Sequence, residues 1–202
     1  MRDINLTLRS GDRLALLGHN GAGKSTLLKV LSGIHEPPTG RITREGTVSS
    51  MLDPGLGLDQ EASGSDNIIS RCIFLGMTYA EARRRLASIG EFTEVGPYLD
   101  MPLRTYSTGM LVRLMFAAST EVRPDILIMD ELMAAGDIAF ADRAKKRIIN
   151  YVQTASILVL ASHDLTTLSN YCNRGALLSA GSITMLGDID QVIEAYKASR
   201  PQ

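Results

Sequence analysis

The apolar positions of this chain change period twice. "RLALLG" (13–18), "DILIMD" (125–130) and "SILVLASHD" (156–164) are unbroken apolar runs of strand length, each ending in glycine or polar residues. Such runs predict strands buried on both faces, as in a mainly parallel sheet. "NLTL" (5–8) reads as a further short strand, and "GRITREGTVSSML" (40–52) as short strands around Gly46. From about 65 to 120 the period is helical. In "TYAEARRRLASIG" (78–90) Thr78 and Glu81 form a capping box and Gly90 closes the helix. Alternation then returns: "FADRAKKRIINYVQ" (140–153) predicts a helix, "GALLSAGSITML" (175–186) a hairpin and "DIDQVIEAYKAS" (188–199) a last amphipathic helix. The pattern predicts one α/β domain over 1–202, with a core of about 1–64 and 121–202 and an inserted helical subdomain of about 65–120.

A chain of 202 residues buries a full core. Its net charge of −1 carries no basic excess, which argues against nucleic acid as a partner. The tight cluster Arg83-Arg84-Arg85 reads as the solvated face of a helix. Cys72 and Cys172 stand far apart, without disulfide or metal spacing, and read as small core hydrophobes. No apolar run approaches the roughly 20 residues needed to cross a bilayer, and the first residues have no apolar signal core. No internal repeat is visible.

Candidate chemistry begins at "GHNGAGKST", comprising Gly18, His19, Asn20, Gly21, Ala22, Gly23, Lys24, Ser25 and Thr26. Glycine, four residues, then Gly-Lys-Ser between a strand and a helix is a phosphate-binding P-loop. Glycines let the backbone curl and expose converging N–H groups, and the following helix directs its positive end at phosphate. Lys24 adds a full charge, and Ser25 a hard oxygen suited to Mg²⁺. This predicts a nucleoside triphosphate site on a P-loop NTPase (RecA-like) fold and leaves ATP and GTP open. Asp130 and Glu131 stand at the end of a buried strand, where open α/β sheets bind ligands. There Asp130 serves the metal shell and Glu131 polarises a water. His163, at the end of another strand, reaches the terminal phosphate or that water.

"YSTGM" (106–110) opens a second helix with a serine cap and a glycine in its first turn. Bare N–H groups and a hydroxyl make a second anion site, read as binding the terminal phosphate held by a neighbouring copy of the chain. The chain therefore predicts a homodimer with shared sites.

With those pieces in place the chain resembles the ATP-binding subunit of an ABC transporter. Walker A is "GHNGAGKST", the signature "YSTGM", Walker B "ILIMDE", the D-loop "AAGD" ending in Asp137, and the switch "SHD" with His163. "TYSTGMLVRLMFAAST", "DELMAAGDIAFADRAKKRI" and "MLDPGLGLDQEASGSDNI" are similar to the subfamily that exports cell-surface polysaccharides such as O-antigen, capsule and teichoic acid. The resemblance implies ATP and Mg²⁺ as cofactors and catalysis by Glu131 and His163. It implies a signature of Ser107, Thr108 and Gly109 acting in trans, and Asp53 at the acidic Q-loop position as a third metal contact beside Ser25 and Asp130. It further implies docking of the helical insertion to a separate integral-membrane permease, at the cytoplasmic face of the inner or plasma membrane.

Departures from the family pattern are Thr108 where glycine or serine is usual, Met110 where glutamine is usual, and Asp53 where a longer glutamate is expected. Gln60 is out of register for the Q-loop role. No aromatic residue precedes the P-loop, whereas family members stack one on adenine: either the start is truncated or adenine is held another way. The chain stops soon after the last helix, so the carbohydrate-binding domain of some O-antigen exporters is expected to be absent. The rival expectations are a degenerate or regulatory cassette with weak or no hydrolysis, and a soluble cassette acting on DNA or ribosomes.

Overall fold

A computed structural model describes residues 1–52, 57–131 and 138–199 of the chain. Its residues gather into two units, one of Met1–Leu52, Pro124–Leu132 and Ala155–Gln202, the other of Asp53–Arg123 and Met133–Thr154.

The first unit is built on a six-stranded sheet in the order β2-β3-β4-β1-β5-β6. The strands are β1 (Arg13–Leu17), β2 (Val48–Met51), β3 (Ile126–Asp130), β4 (Ile157–Ala161), β5 (Arg174–Ser179) and β6 (Ser182–Asp188). The first five run parallel, and β6 returns antiparallel to β5. The apolar runs explain the centre of the sheet. Leu14, Leu16, Ile128, Val159, Ala176 and Leu178 form one core with Leu27 and Leu28 of helix α1 (Lys24–Leu31). The β5–β6 turn places Ala180 and Gly181 at φ of 48° and 81°, the left-handed pair a tight hairpin needs. Helices α6 (Leu165–Tyr171) and α7 (Ile189–Ala198) complete the unit.

Two expected strands do not form. "NLTL" is not a strand, although Ile4, Leu6 and Leu8 pack half-buried against the core. Its alternation records burial rather than ladder pairing. Residues 41–45 are likewise irregular. Arg44 instead donates to Val30 O (2.6 Å) and Leu31 O (2.8 Å), capping the carbonyl end of α1.

The second unit holds α2 (Gly64–Phe74), α3 (Tyr79–Thr93), α4 (Thr108–Ser119) and α5 (Ile138–Thr154). The capping box at Thr78 and Glu81 forms. Gly90 does not end the helix: α3 runs on to Thr93 and stops at Glu94, whose φ is 55°. Gly90 is there for closeness, because a Cβ would lie 2.6 Å from Leu99 Cδ1. Ile68, Cys72, Ala82, Ile89, Leu103 and Leu114 form this unit's core.

Candidate functional site

The centre of the sheet aims its first turn at a cradle. β1 lies between β4 and β5, and the chain leaves it at Gly18. Gly18 has φ 153°, and a Cβ there would stand 2.5 Å from Leu178 O and 3.0 Å from Ala22 Cβ. Only glycine lets the loop pass this close to β5. The Ala22 N–H donates to His19 O (3.1 Å), and Ala22 O accepts from Gly181 N (3.0 Å), tying the loop to the β5–β6 turn. Gly21 and Gly23 take φ of 79° and 106°.

Gly23 is the N-cap of α1 and brings no side-chain cap, so the helix presents its first-turn N–H groups to the loop's interior. The Lys24 ammonium folds back over the loop and donates to Gly18 O (2.7 Å) and His19 O (3.2 Å). His19 and Asn20 are exposed at the rim, with the His19 ring 5.7 Å from that of Tyr196. Thr26, also exposed, closes the motif on the first turn of α1.

Parallel pairing of β3 with β4 brings the acids to the same edge. Asp130 pairs with Ala161 in the strand register, and Ser25 Oγ donates to Asp130 Oδ2 at 2.9 Å. A hydroxyl and a carboxylate in contact are the small hard-oxygen set that Mg²⁺ takes from protein, the rest of its shell coming from water and phosphate. The residues therefore fit the ion. Glu131 is exposed and left-handed, with φ 65°, while its N–H still donates to Ala161 O (2.7 Å). That conformation costs a non-glycine residue about 1 kcal/mol or more, and it turns the chain off the strand as the carboxylate arrives at the edge.

His163 lies two residues beyond the end of β4. Lys24, Ser25, Asp130, Glu131 and His163 line one cleft of about 590 Å³ together with the loop glycines Gly21 and Gly23. A neighbouring cleft of about 480 Å³ continues past Glu131 and His163 to Ser162, Asp164 and Thr167.

Sequence reasoning missed Asp164. Its carboxylate caps α6, accepting from Thr166 N (3.0 Å), Thr167 N (3.3 Å) and Thr167 Oγ1 (2.6 Å). The Thr167 hydroxyl foremost, with the Thr166 amide, holds its pKa below the ordinary carboxylate range. Its own N–H donates to Ser162 Oγ (3.1 Å), so His163 sits between two anchored neighbours. An aspartate followed three positions later by threonine was the available signal. Leu52, which also lines the larger cleft, carried none.

The signature stretch belongs to the second unit. Ser107 is the N-cap of α4 and accepts from the Met110 N–H at 3.3 Å. Ser107, Thr108 and Gly109 are all exposed. A Cβ at Gly109 would meet only Ser107 Oγ, at 4.0 Å, so the helix start is open on that side. Asp53 and Asp137 lie outside the described residues.

Comparison with known proteins decides the family. The ABC transporter family matches residues 1–134. The chain belongs to the ABC transporter family. It is the ATP-binding, ATP-hydrolysing cassette of that family, which acts on ATP with Mg²⁺. The O-antigen export system ATP-binding protein RfbE of Yersinia enterocolitica is 45% identical over 181 residues, covering 90% of this chain and 76% of that protein. The O-antigen export system ATP-binding protein RfbB of Myxococcus xanthus is 40% identical over 197 residues, covering 98% of this chain but 45% of the longer relative. Among solved structures, an ATP-binding subunit of an ABC transporter has a TM-score of 0.75 at 24% identity, covering 99% of this chain and 88% of its own. That likeness shows the fold. Among the described residues no helix is long and apolar enough to cross a membrane.

Proposed function

We propose that this chain is the ATP-hydrolysing subunit of an ABC transporter that exports a cell-surface polysaccharide through a separate membrane permease. The observation that carries the reading is the 45% identity to an O-antigen export ATP-binding protein over 90% of this chain. An intact set of nucleotide-handling side chains along one cleft supports it. The chain works as a head-to-tail dimer at the cytoplasmic face of the membrane, its second unit toward the permease.

The residues divide the work. The P-loop amides and the positive end of α1 bind the phosphates, and Lys24 adds its charge beside the loop it already holds shut. Ser25 and Asp130, in contact with one another, would hold Mg²⁺, which when bound would neutralise charge on the phosphate oxygens, and Asp53 at the Q-loop position is the proposed third contact. Glu131 accepts the proton of the attacking water, and His163 orients that water or the terminal phosphate from the next strand. Ser107 and Gly109 of the partner copy close over the terminal phosphate, with the open α4 start as the donor face, and Asp137 is the proposed D-loop residue. ATP favours the closed dimer because only that state completes the site. Hydrolysis removes the preference and reopens it.

The test uses Glu131→Gln, which keeps the shape of the side chain and removes the base. With ATP and Mg²⁺ the variant is expected to run as a stable dimer in size-exclusion chromatography with light scattering, with phosphate release abolished. The parent protein turns over ATP and dissociates. A variant that stays monomeric at saturating ATP refutes the shared site. Co-expression with the proposed membrane permease is expected to move the protein to the membrane fraction.

A further inference from the structure

Tyr106, the first residue of the signature stretch, is tied into the fold on three sides. Its hydroxyl donates to Tyr98 O at 2.6 Å, and its ring meets the Tyr98 ring edge-on at 6.2 Å and 84°. On the third side lies Gly64, the first residue of α2. A Cβ at Gly64 would stand 2.0 Å from Tyr106 Oη and 3.0 Å from Cζ. Gly64 has no positive φ. It is glycine here because the phenol occupies the place of its side chain.

The backbone around this contact is laced in the same sense. Leu103 N donates to Ala62 O (3.1 Å), Arg104 N to Gln60 O (3.0 Å) and Gly64 N to Met101 O (3.2 Å), while Ser63 and Pro102 form an antiparallel bridge. Residues 60–64 thus run alongside 101–104, and the phenol locks the end of that ladder. The next residue, Ser107, is exposed and caps α4. The exposed hydroxyls of Ser107 and Thr108 therefore follow directly on an anchored aromatic.

We infer that Tyr106 and Gly64 are positioning residues for the signature: the phenol, seated in the space glycine leaves, holds Ser107 and the first amides of α4 in phosphate-binding geometry. This rests on the shared-site reading for its consequence, though not for its geometry.

The experiment separates the two claims. Tyr106→Phe removes only the donor to Tyr98 O. In the full chain, hydrogen–deuterium exchange at the Met110 amide, which Ser107 Oγ holds, is expected to quicken about five-fold, the factor for one net hydrogen bond. On the Glu131→Gln background the ATP concentration for half-maximal dimerisation is expected to rise by a similar factor. Gly64→Ala alone displaces the phenol and acts more strongly. Combined with Tyr106→Phe, it is expected to cost less than the two effects multiplied, because the atom 2.0 Å from the new methyl is gone.

Unchanged exchange at Met110 in Tyr106→Phe overturns the inference whatever the dimer does. Faster exchange with unaltered dimerisation, or a lowered melting temperature alone, reduces the contact to a structural one and equally overturns it. Failure of the Glu131→Gln parent to dimerise counts against the shared site, and the exchange result still decides the brace.

Discussion

Two glycines of the same loop are expected to fail in opposite ways when given a methyl group. Gly18→Ala places Cβ 2.5 Å from a backbone oxygen, Leu178 O, which cannot rotate away, and 3.0 Å from Ala22 Cβ. Its φ of 153° is also poor for an L-residue. A left-handed conformation costs about 1–2 kcal/mol and overpacking a close contact about 1–3 kcal/mol, so the sum is about 2–5 kcal/mol. For a chain of this size that corresponds to a Tm lowered by roughly 10 °C. Gly21→Ala has nothing within 4 Å of its Cβ and φ 79°, leaving the conformational cost alone, about 1–2 kcal/mol.

Gly21 nevertheless lines the cleft, so the methyl intrudes on the proposed phosphate site. Nucleotide affinity should fall at least ten-fold. Scanning calorimetry with titration of a fluorescent ATP analogue reads both effects: Gly18→Ala loses chiefly stability, Gly21→Ala chiefly binding. Gly18→Ala melting like the parent, or Gly21→Ala melting below Gly18→Ala, would show that the approach of loop to β5 is not what demands glycine.

Two further outcomes follow from buried and capped groups. Asp125 accepts from Thr47 N (2.7 Å) and Thr47 Oγ1 (2.9 Å), and these bonds, the amide first, lower its pKa. A depressed folded pKa adds stability above the ordinary carboxylate value and loses it as pH falls through the folded one. Urea midpoints measured from pH 6 down to pH 3 should therefore decline less steeply in Asp125→Asn, and parallel slopes would count against the assignment. Burial raises the Cys72 thiol to about 11 and the Cys172 thiol to about 12. Both should resist a thiol reagent at pH 8 until denaturant is added, and labelling of the native protein at the rate of free cysteine would contradict their burial.

Much of the fold was legible in advance, as were most of the residues that gather along the cleft. The P-loop, the acids after "ILIM", the histidine after "LVLA" and the serine before α4 are local signals, each a short run whose residue types serve one physical need. Apolar periodicity placed the parallel strands and the helices between about 65 and 120, because burial repeats with the geometry of the element. Where a partner lies far along the chain, the signal fades. "NLTL" alternates like a strand but finds no ladder, and Gly90 looks like a helix stop but makes room for Leu99.

Chemistry, then, was written in the sequence, whereas closeness was decided by the folded chain. The left-handed turn at Glu131, the pairing of Ser25 with Asp130 across 105 positions, and the phenol of Tyr106 over Gly64 all depend on which backbones come within a few ångströms. A residue type states what a group can donate, accept or leave empty. Only tertiary packing sets what stands opposite it, since contacts of that range depend on every strand and helix in between.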